Sequence, residues 1–486
     1  MRAWLRRGLL VTGVFALCWG GAIWYWRAGT RVPGTADLAN AMLWLPLALL
    51  AAGWLGKKLL VRLTRAAPAP AAAAATAEAP PAAASAPPPV APLQMVAAAL
   101  RMPGGATAQA LAAALQAKQA HPALDGQLCD ADGYPMLCGK VAEVDEELQQ
   151  QLLASWLRAH PQPGLDAETF PYNPEDLRAL SLGSEVLIEL MQTIVLHPLL
   201  PAWRQQMPAT RGTVALPTLQ LQLLLPAGWS GAQRQAAGAW LWQLAQDEGW
   251  PAEKLAPLAP EPAAAPPVPF ALLNQIAALA AQERPCGLHI VLACQSHIGE
   301  MSVHEWASSG RLFGTSQGDG QIPGEGAAGL LLASAAEAAP FDTGAPVLLQ
   351  HAAVGVAGST AGSAAGTRGD AAAIAELARQ ALALAGIDAA AITLLSADTD
   401  QRASRMFELM NGGGTVLPEL DLSSQVWCVG AACGHSGPVA ALAALALAQQ
   451  EALDHAAQVL CISNLDPLQR SALVVGPATE AGSLPS

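Results

Sequence analysis

Lysine is almost missing from this 486-residue chain, with five residues beside 20 Arg. The skew reads as high-GC coding, but it has a chemical consequence: no ammonium side chain follows Lys254. The eight cysteines include no Cys-x-x-Cys, and no His/Cys set has zinc spacing. No metal and no cofactor is therefore expected. Positive charge is also scarce beyond the N-terminus. Residues 1–66 hold nine of the 25 basic side chains and one of the 38 acidic ones, which leaves 16 and 37, about −21, for the rest. That balance argues against nucleic acid as a partner, and against the body lying on anionic lipid.

What is present at the N-terminus belongs to a different solvent. Residues 8–26 and 38–56 are each 19 residues without a charge, about the length of a membrane-crossing helix. Trp24, Tyr25 and Trp26 form an interfacial belt, and Arg2, Arg6, Arg7, Lys57, Lys58, Arg62 and Arg65 flank the outer ends. The pattern predicts a two-helix transmembrane hairpin in a bacterial inner membrane, with the N-terminus and the C-terminal body cytoplasmic. Residues 67–96 open with a run of almost only Ala and Pro, without large side chains to bury in a core, and read as a semi-stiff tether. In a cytoplasmic body, Cys129 and Cys138 are expected as free thiols, although they flank a hairpin and could pair.

Residues 97–180 read as helix, hairpin (LCDADGYPMLCGK) and helix, with Glu143, Asp145, Glu146 and Glu147 at a solvated helix start. Beyond them, apolar runs alternate with helical stretches, which predicts a sheet covered on both faces. Helix Pro269–Gln282 leads to strand Leu288–Cys294, a polar loop with a short helix, and a Gly-rich turn. That turn, Pro323-Gly324-Glu325-Gly326, opens a second strand ending near Leu332. Its glycines admit a close backbone approach. The same letters spell Gly-x-Gly-x-x-Gly, but a dinucleotide fingerprint opens a helix and this one opens a strand. Helix Arg368–Ala385, strand Ala391–Asp398, helix Gln401–Met410 and an apolar strand Ser424–Cys433 follow. A helix then starts near Pro438, and strands Ala457–Asn464 and Ser471–Pro477 pair after it. The order helix, strand, strand thus occurs twice, in Phe270–Ala333 and in Pro438–Val475.

The turn GQIPGEGAAGLLL and the segment CGHSGPVAA resemble the β-ketoacyl synthase branch of the thiolase-like superfamily. The resemblance implies a duplicated α-β-α layered fold, with a first half over 181–356 and a second over 357–486, and a homodimer. It also implies a Cys nucleophile at a helix start in the first half, two His from the second half, and a Lys. The helix start near Pro266–Phe270 has no thiol or hydroxyl, and Cys286 and Cys294 read as buried small residues. The first His position reads Ser396-Ala397-Asp398-Thr399-Asp400, and no Lys is available. His435 alone matches, as the second His.

That pattern predicts a thiolase-like scaffold that does no condensation and serves as a binding adaptor, whose protein partner is a secreted effector or an acyl carrier protein. The layout also resembles the adaptors that load lipase effectors in type VI secretion. Two enzyme readings stand beside it. One is an acyl-thioester reaction assisted by His435, with Arg402 and Arg405 as a docking patch for an acidic carrier. The other is a serine hydrolase in which Gly434-His435-Ser436-Gly437-Pro438 forms a nucleophile elbow and Asp454, His455 or Asp466 completes the set.

Overall fold

The computed structural model describes Trp19 and residues 91–130, 133–165, 170–206, 214–258, 268–282, 287–314, 317–341, 345–356 and 368–478. Met1–Ala86 and Pro87–Ser486 are separate units. In the first, only Trp19 is described, in helical conformation. Apart from Trp19, the expected spans at 8–26 and 38–56 and most of the tether lie outside the described residues. Among the described residues no single helix is long and apolar enough to cross a membrane. One pair bent by 81°, Pro174–Ile194 and Leu199–Gln205, passes on length and composition, and Leu180, Leu187 and Leu190 of that pair are buried in the body.

The second unit begins with β1 (Leu93–Arg101), α1 (Ala108–Gln116) and the hairpin β2 (Ala123–Cys129) and β3 (Pro135–Cys138). Next come α2 (Glu146–Ala159), α3 (Pro174–Ile194), α4 (Leu199–Gln205), β4 (Leu219–Leu224) and α5 (Gly231–Asp247). The first of the two repeated modules is α6 (Pro269–Gln282), β5 (Leu288–Ser296), α7 (Glu300–Ser309) and β6 (Glu325–Ala333). Then follow α8 (Ala335–Ala338), β7 (Val347–Leu349), β8 (Ala353–Val356), α9 (Arg368–Ala385), β9 (Ile392–Ala397), α10 (Ala403–Val416), β10 (Val426–Cys428) and α11 (Val429–Cys433). The second module is α12 (Pro438–His455), β11 (Gln458–Ser463) and β12 (Gln469–Pro477).

Apart from the β2–β3 hairpin, which is a sheet of its own, the strands form one mixed sheet in the order β10-β9-β11-β12-β7-β1-β6-β5-β4, with β8 also on β12. Two copies of one pattern meet at β7 and β1. In each, a strand runs antiparallel to its hairpin-like successor and parallel to an outer neighbour: β5 to β6 and β4, and β11 to β12 and β9. Ala328–Leu332 and Ser471–Val475 thus share a sheet. β1 pairs with both β6 and β7, so the strands of the layered body draw on residues well N-terminal to 181.

Period-two burial sets the layers. On β5, Val291 and Ala293 face a core that includes α12, while Ile290, Leu292 and Cys294 face the core of α3 and α5. On β11, Val459 and Cys461 face the α12 core, while Leu460 and Ile462 face that of α9 and α10. Helix α12 is small and apolar on almost every side, and twelve of its residues, Val439 and Ala440 among them, are buried. A helix apolar all round belongs in an interior. Helices α6 and α12 therefore occupy a central layer with strands on both sides, which gives α, β, α, β, α.

Two predicted elements differ. The end of the expected tether, 67–96, and the start of the segment 97–180 form strand β1, which is mostly buried between β6 and β7. Ser424–Cys433 reads as a continuous apolar strand, but only Val426–Cys428 is extended, and Val429–Cys433 is helical. Gly430 packs against the backbone of Asp398 and Thr399, and Ala431 donates its N–H to Thr399 O at 2.9 Å. That tertiary bond turns the chain out of the sheet.

Candidate functional site

Three backbone segments cross at one point, and the sequence explains why each carries glycine there. Gly139 donates to Pro323 O at 2.8 Å and accepts from Glu325 N at 3.1 Å. A Cβ on Gly139 would collide with Cys433 O, and one on Gly324 would stand 2.6 Å from it. Gly434 has φ +77°, and a Cβ there would meet Pro323 O at 2.7 Å. The predicted turn Pro323-Gly324-Glu325-Gly326 is therefore a crossing, and it closes beneath His435, whose N–H donates to Ile322 O at 2.8 Å.

Glu325 locks the crossing. It is fully buried and accepts two bonds from Arg178 of α3, at 2.8 and 2.5 Å. Val141 N and Ser296 Oγ also donate to it, at 2.8 and 3.0 Å. Arg178 reaches on to Glu146 at 2.7 Å. Every lone-pair direction of the buried carboxylate is thus used, as a charge out of water requires.

His435 lies at the turn before α12 with a side chain 14% exposed. Trp306 meets it edge-on at 5.6 Å, and His297 stacks on it at 5.8 Å. Gln321 Nε2 lies 3.2 Å from His435 Nδ1. The Gln321 carbonyl accepts from Arg311 Nε and Nη2, at 3.3 and 3.1 Å. A guanidinium can only donate, so the Gln321 amide is fixed with its NH2 toward the imidazole. His435 Nε2 lies farther from that NH2, at 3.5 Å, so the neutral ring accepts at the nearer Nδ1 and keeps its proton on Nε2. Burial pushes the imidazole down to about 3, helped by Arg402 and Arg311. Asp400 Oδ2 at 3.9 Å from Nδ1 is therefore a near neighbour rather than an ion-pair partner. Asp400 is held instead by Arg402, at 3.0 and 2.8 Å. Burial also holds His297 well below the ordinary histidine range, with His435 and Arg311 adding to it. The result is two neutral imidazoles side by side, with a single directed donor on His435.

The other expected site residues are dispersed. Asp398 does not face His435; its carboxylate accepts from Ser463 Oγ, Asn464 N and Leu465 N at 2.5, 2.8 and 3.3 Å. Pro266 and Cys286 lie outside the described residues. Pro269 and Phe270 of the expected nucleophile site are buried in the first turn of α6. Cys294 and Cys433 are buried, and burial raises each thiol to about 12. Cys433 donates to Pro103 O at 3.2 Å. Cys129 and Cys138 are free, on opposite strands of the predicted hairpin.

Ser436 is fully buried, and its Oγ has no hydrogen-bond partner. Asp454 and His455 sit at the far end of α12, about 27 Å away at 1.5 Å per residue, and Asp466 caps the turn before β12. No acid or His of the expected hydrolase set reaches Ser436. Arg405 is buried against Glu408, which also binds Arg470, so Arg402 and Arg405 form no open basic patch. His297, Trp306 and Gln321 escaped the sequence reading, and Asp400 and Arg402 entered it only in other roles. A His and a Trp in a loop between two buried strands was the available signal.

No family model matches the chain, and no curated protein matches it. Solved structures do. An oxazolomycin ketosynthase domain of Streptomyces albus JA3453 is 15% identical over 82% of this chain and 76% of its own, with a TM-score of 0.51. The ketosynthase from module 6 of the bacillaene synthase of Bacillus subtilis 168 is 13% identical over 80% and 72%, with a TM-score of 0.53. The fold is that of these ketosynthase domains. The ishigamide ketosynthase/chain length factor is covered over its whole length by 80% of this chain, at 14% identity and a TM-score of 0.51. At these identities the likeness carries the ketosynthase architecture and nothing about chemistry.

Proposed function

We propose that this chain is a ketosynthase-fold binding protein that carries out no condensation, tethered by residues 8–26 and 38–56 to a bacterial inner membrane with its body in the cytoplasm. The observation that carries the reading is the closure of His435. Its ring is walled by Trp306, His297 and Gln321, and Pro269 and Phe270 at the start of α6 are buried apolar residues. A condensing enzyme needs a thiolate to carry the acyl group and a donor for the developing oxyanion. Here one donor stands without a described nucleophile, and the thiols of Cys294 and Cys433 are raised far above neutral pH. A body that keeps the layers without the chemistry serves best as an adaptor, with a secreted effector as its cargo. Purified protein mixed with malonyl and acyl thioesters should release no carbon dioxide and form no ketoacyl product. Turnover that His435→Ala abolishes would overturn the reading.

A second reading, an acyl-thioester enzyme, draws on the paired neutral imidazoles, since a neutral His435 with its proton on Nε2 can donate to a thioester carbonyl. It requires Trp306 to move and a nucleophile to come from outside the described residues. The same turnover assay separates the two.

A further inference from the structure

Helix α7 is built differently from the helices around it. It buries Val303 and Trp306 in a small cluster with Leu128, Met136 and Cys138 of the β2–β3 hairpin, separate from the three large cores. An element held by few buried apolar groups opens below the global unfolding free energy. Both ends of α7 are glycines. Gly299 gives the N-terminus no side-chain cap, and Gly310 ends the helix at φ +69° with open space around it.

The N-terminus is met from outside by Glu175 of α3. This side chain is 7% exposed, and one of its oxygens, Oε2, has no hydrogen-bond partner. A Cβ on Gly299 would lie 2.6 Å from that oxygen. Ser302, in the first turn of α7, faces the same carboxyl. The Ser302 hydroxyl lies 3.4 Å from His297 Nδ1, and His297 stacks on His435. The contact at the start of α7 thus reaches the imidazole pair in two steps, while Trp306 on the same helix covers it.

We propose that α7 is a hinged cover over the His297–His435 pair, latched at its N-terminus by the buried Glu175 carboxyl packed against Gly299. The charged groups that act on Glu175 are both acidic, Asp176 from α3 and Glu305 from α7, so ionising it in place is unfavourable. Burial is the largest cause and raises it from the usual 4.5 to about 7, Asp176 and Glu305 add to the rise, and Ser302 opposes it. The sign follows by linkage. The open form, with Glu175 in water, ionises above 4.5, whereas the closed form ionises only near 7. Closure is therefore fully favoured below 4.5 and loses that contribution as pH rises through 7. This goes beyond the binding role and holds with or without a partner.

Hydrogen exchange of the full-length protein at pH 5 and pH 8, corrected for intrinsic rates and read by mass spectrometry, tests the cover. Protection of Glu300–Ser309 should fall by roughly a hundredfold from pH 5 to pH 8, with β5 and β6 unchanged. Glu175→Gln should make α7 protection equal at both values. Gly299→Ala, which pushes a methyl against the carboxyl, should leave α7 poorly protected at both. Equal protection at both values in the natural sequence would overturn the proposal. So would loss of β5 and β6 protection together with α7, or an unchanged pH response in Glu175→Gln. None of these outcomes bears on whether the protein condenses acyl groups.

Discussion

Trp306 stands edge-on to His435, with ring centroids 5.6 Å apart and planes at 71°. The guanidinium of Arg311 lies 5.0 Å above the same indole. One aromatic side chain therefore lies between the matched histidine and a partly exposed cation.

Trp306→Ala should let water reach the imidazole and relieve the burial that holds His435 near 3. Its titration, followed by NMR of the ring protons, should move up by about one unit or more toward 6.5. The cavity should cost about 3–5 kcal/mol of stability. An unmoved titration would mean that Trp306 is not what keeps the ring dry.

Gly434 and Gly310 make an internal comparison at positive φ. Gly310→Ala meets open space and should cost about 1 kcal/mol, the backbone term alone. Gly434→Ala drives a methyl onto Pro323 O at the three-segment crossing and should cost several-fold more or prevent folding. Similar melting temperatures for the two variants would show that the crossing is loose.

Asp398 is raised from 3.8 to about 6 by burial, against the bonds from Ser463, Asn464 and Leu465. A raised carboxyl contributes stability that is complete below 3.8 and lost as pH rises through 6. Relative to Asp398→Asn, the natural sequence should lose up to about 3 kcal/mol between pH 4 and pH 7. Parallel stability–pH curves in urea would show that the carboxyl is already ionised where it sits.

The sequence showed most where the signal was local. Helices Pro269–Gln282 and Arg368–Ala385 have the bounds that apolar spacing predicts. The Gly-rich turn opens a strand as its letters require. What stayed hidden depends on distant partners. β1 is split between the expected tether and the segment after it, because its place in the sheet comes from β6, more than 200 residues on. The bend at Val429–Cys433 depends on Thr399. The site is a meeting of Gln321, His435 and Asp400, and the tautomer of His435 is set by Arg311, a residue it does not touch. No periodicity or spacing records such a relay.

The Arg178–Glu325 pair joins α3 to the crossing in the interior. Arg178→Ala leaves a buried carboxylate with two donors of four and should cost about 3–5 kcal/mol. Arg178→Ala combined with Glu325→Gln should recover part of that loss, because no bare charge remains. If the single substitution costs under about 1 kcal/mol in urea titrations, the network is not sustaining the fold.

The central claim is that the ketosynthase layers are kept here without acyl chemistry. Intact-mass spectrometry of the full-length protein after incubation with acyl-CoA or acyl-carrier substrates tests it most directly. The expected result is an unchanged mass. An acyl adduct on Cys286 or Cys294, lost on substitution together with product formation, would contradict the account and establish a condensing enzyme.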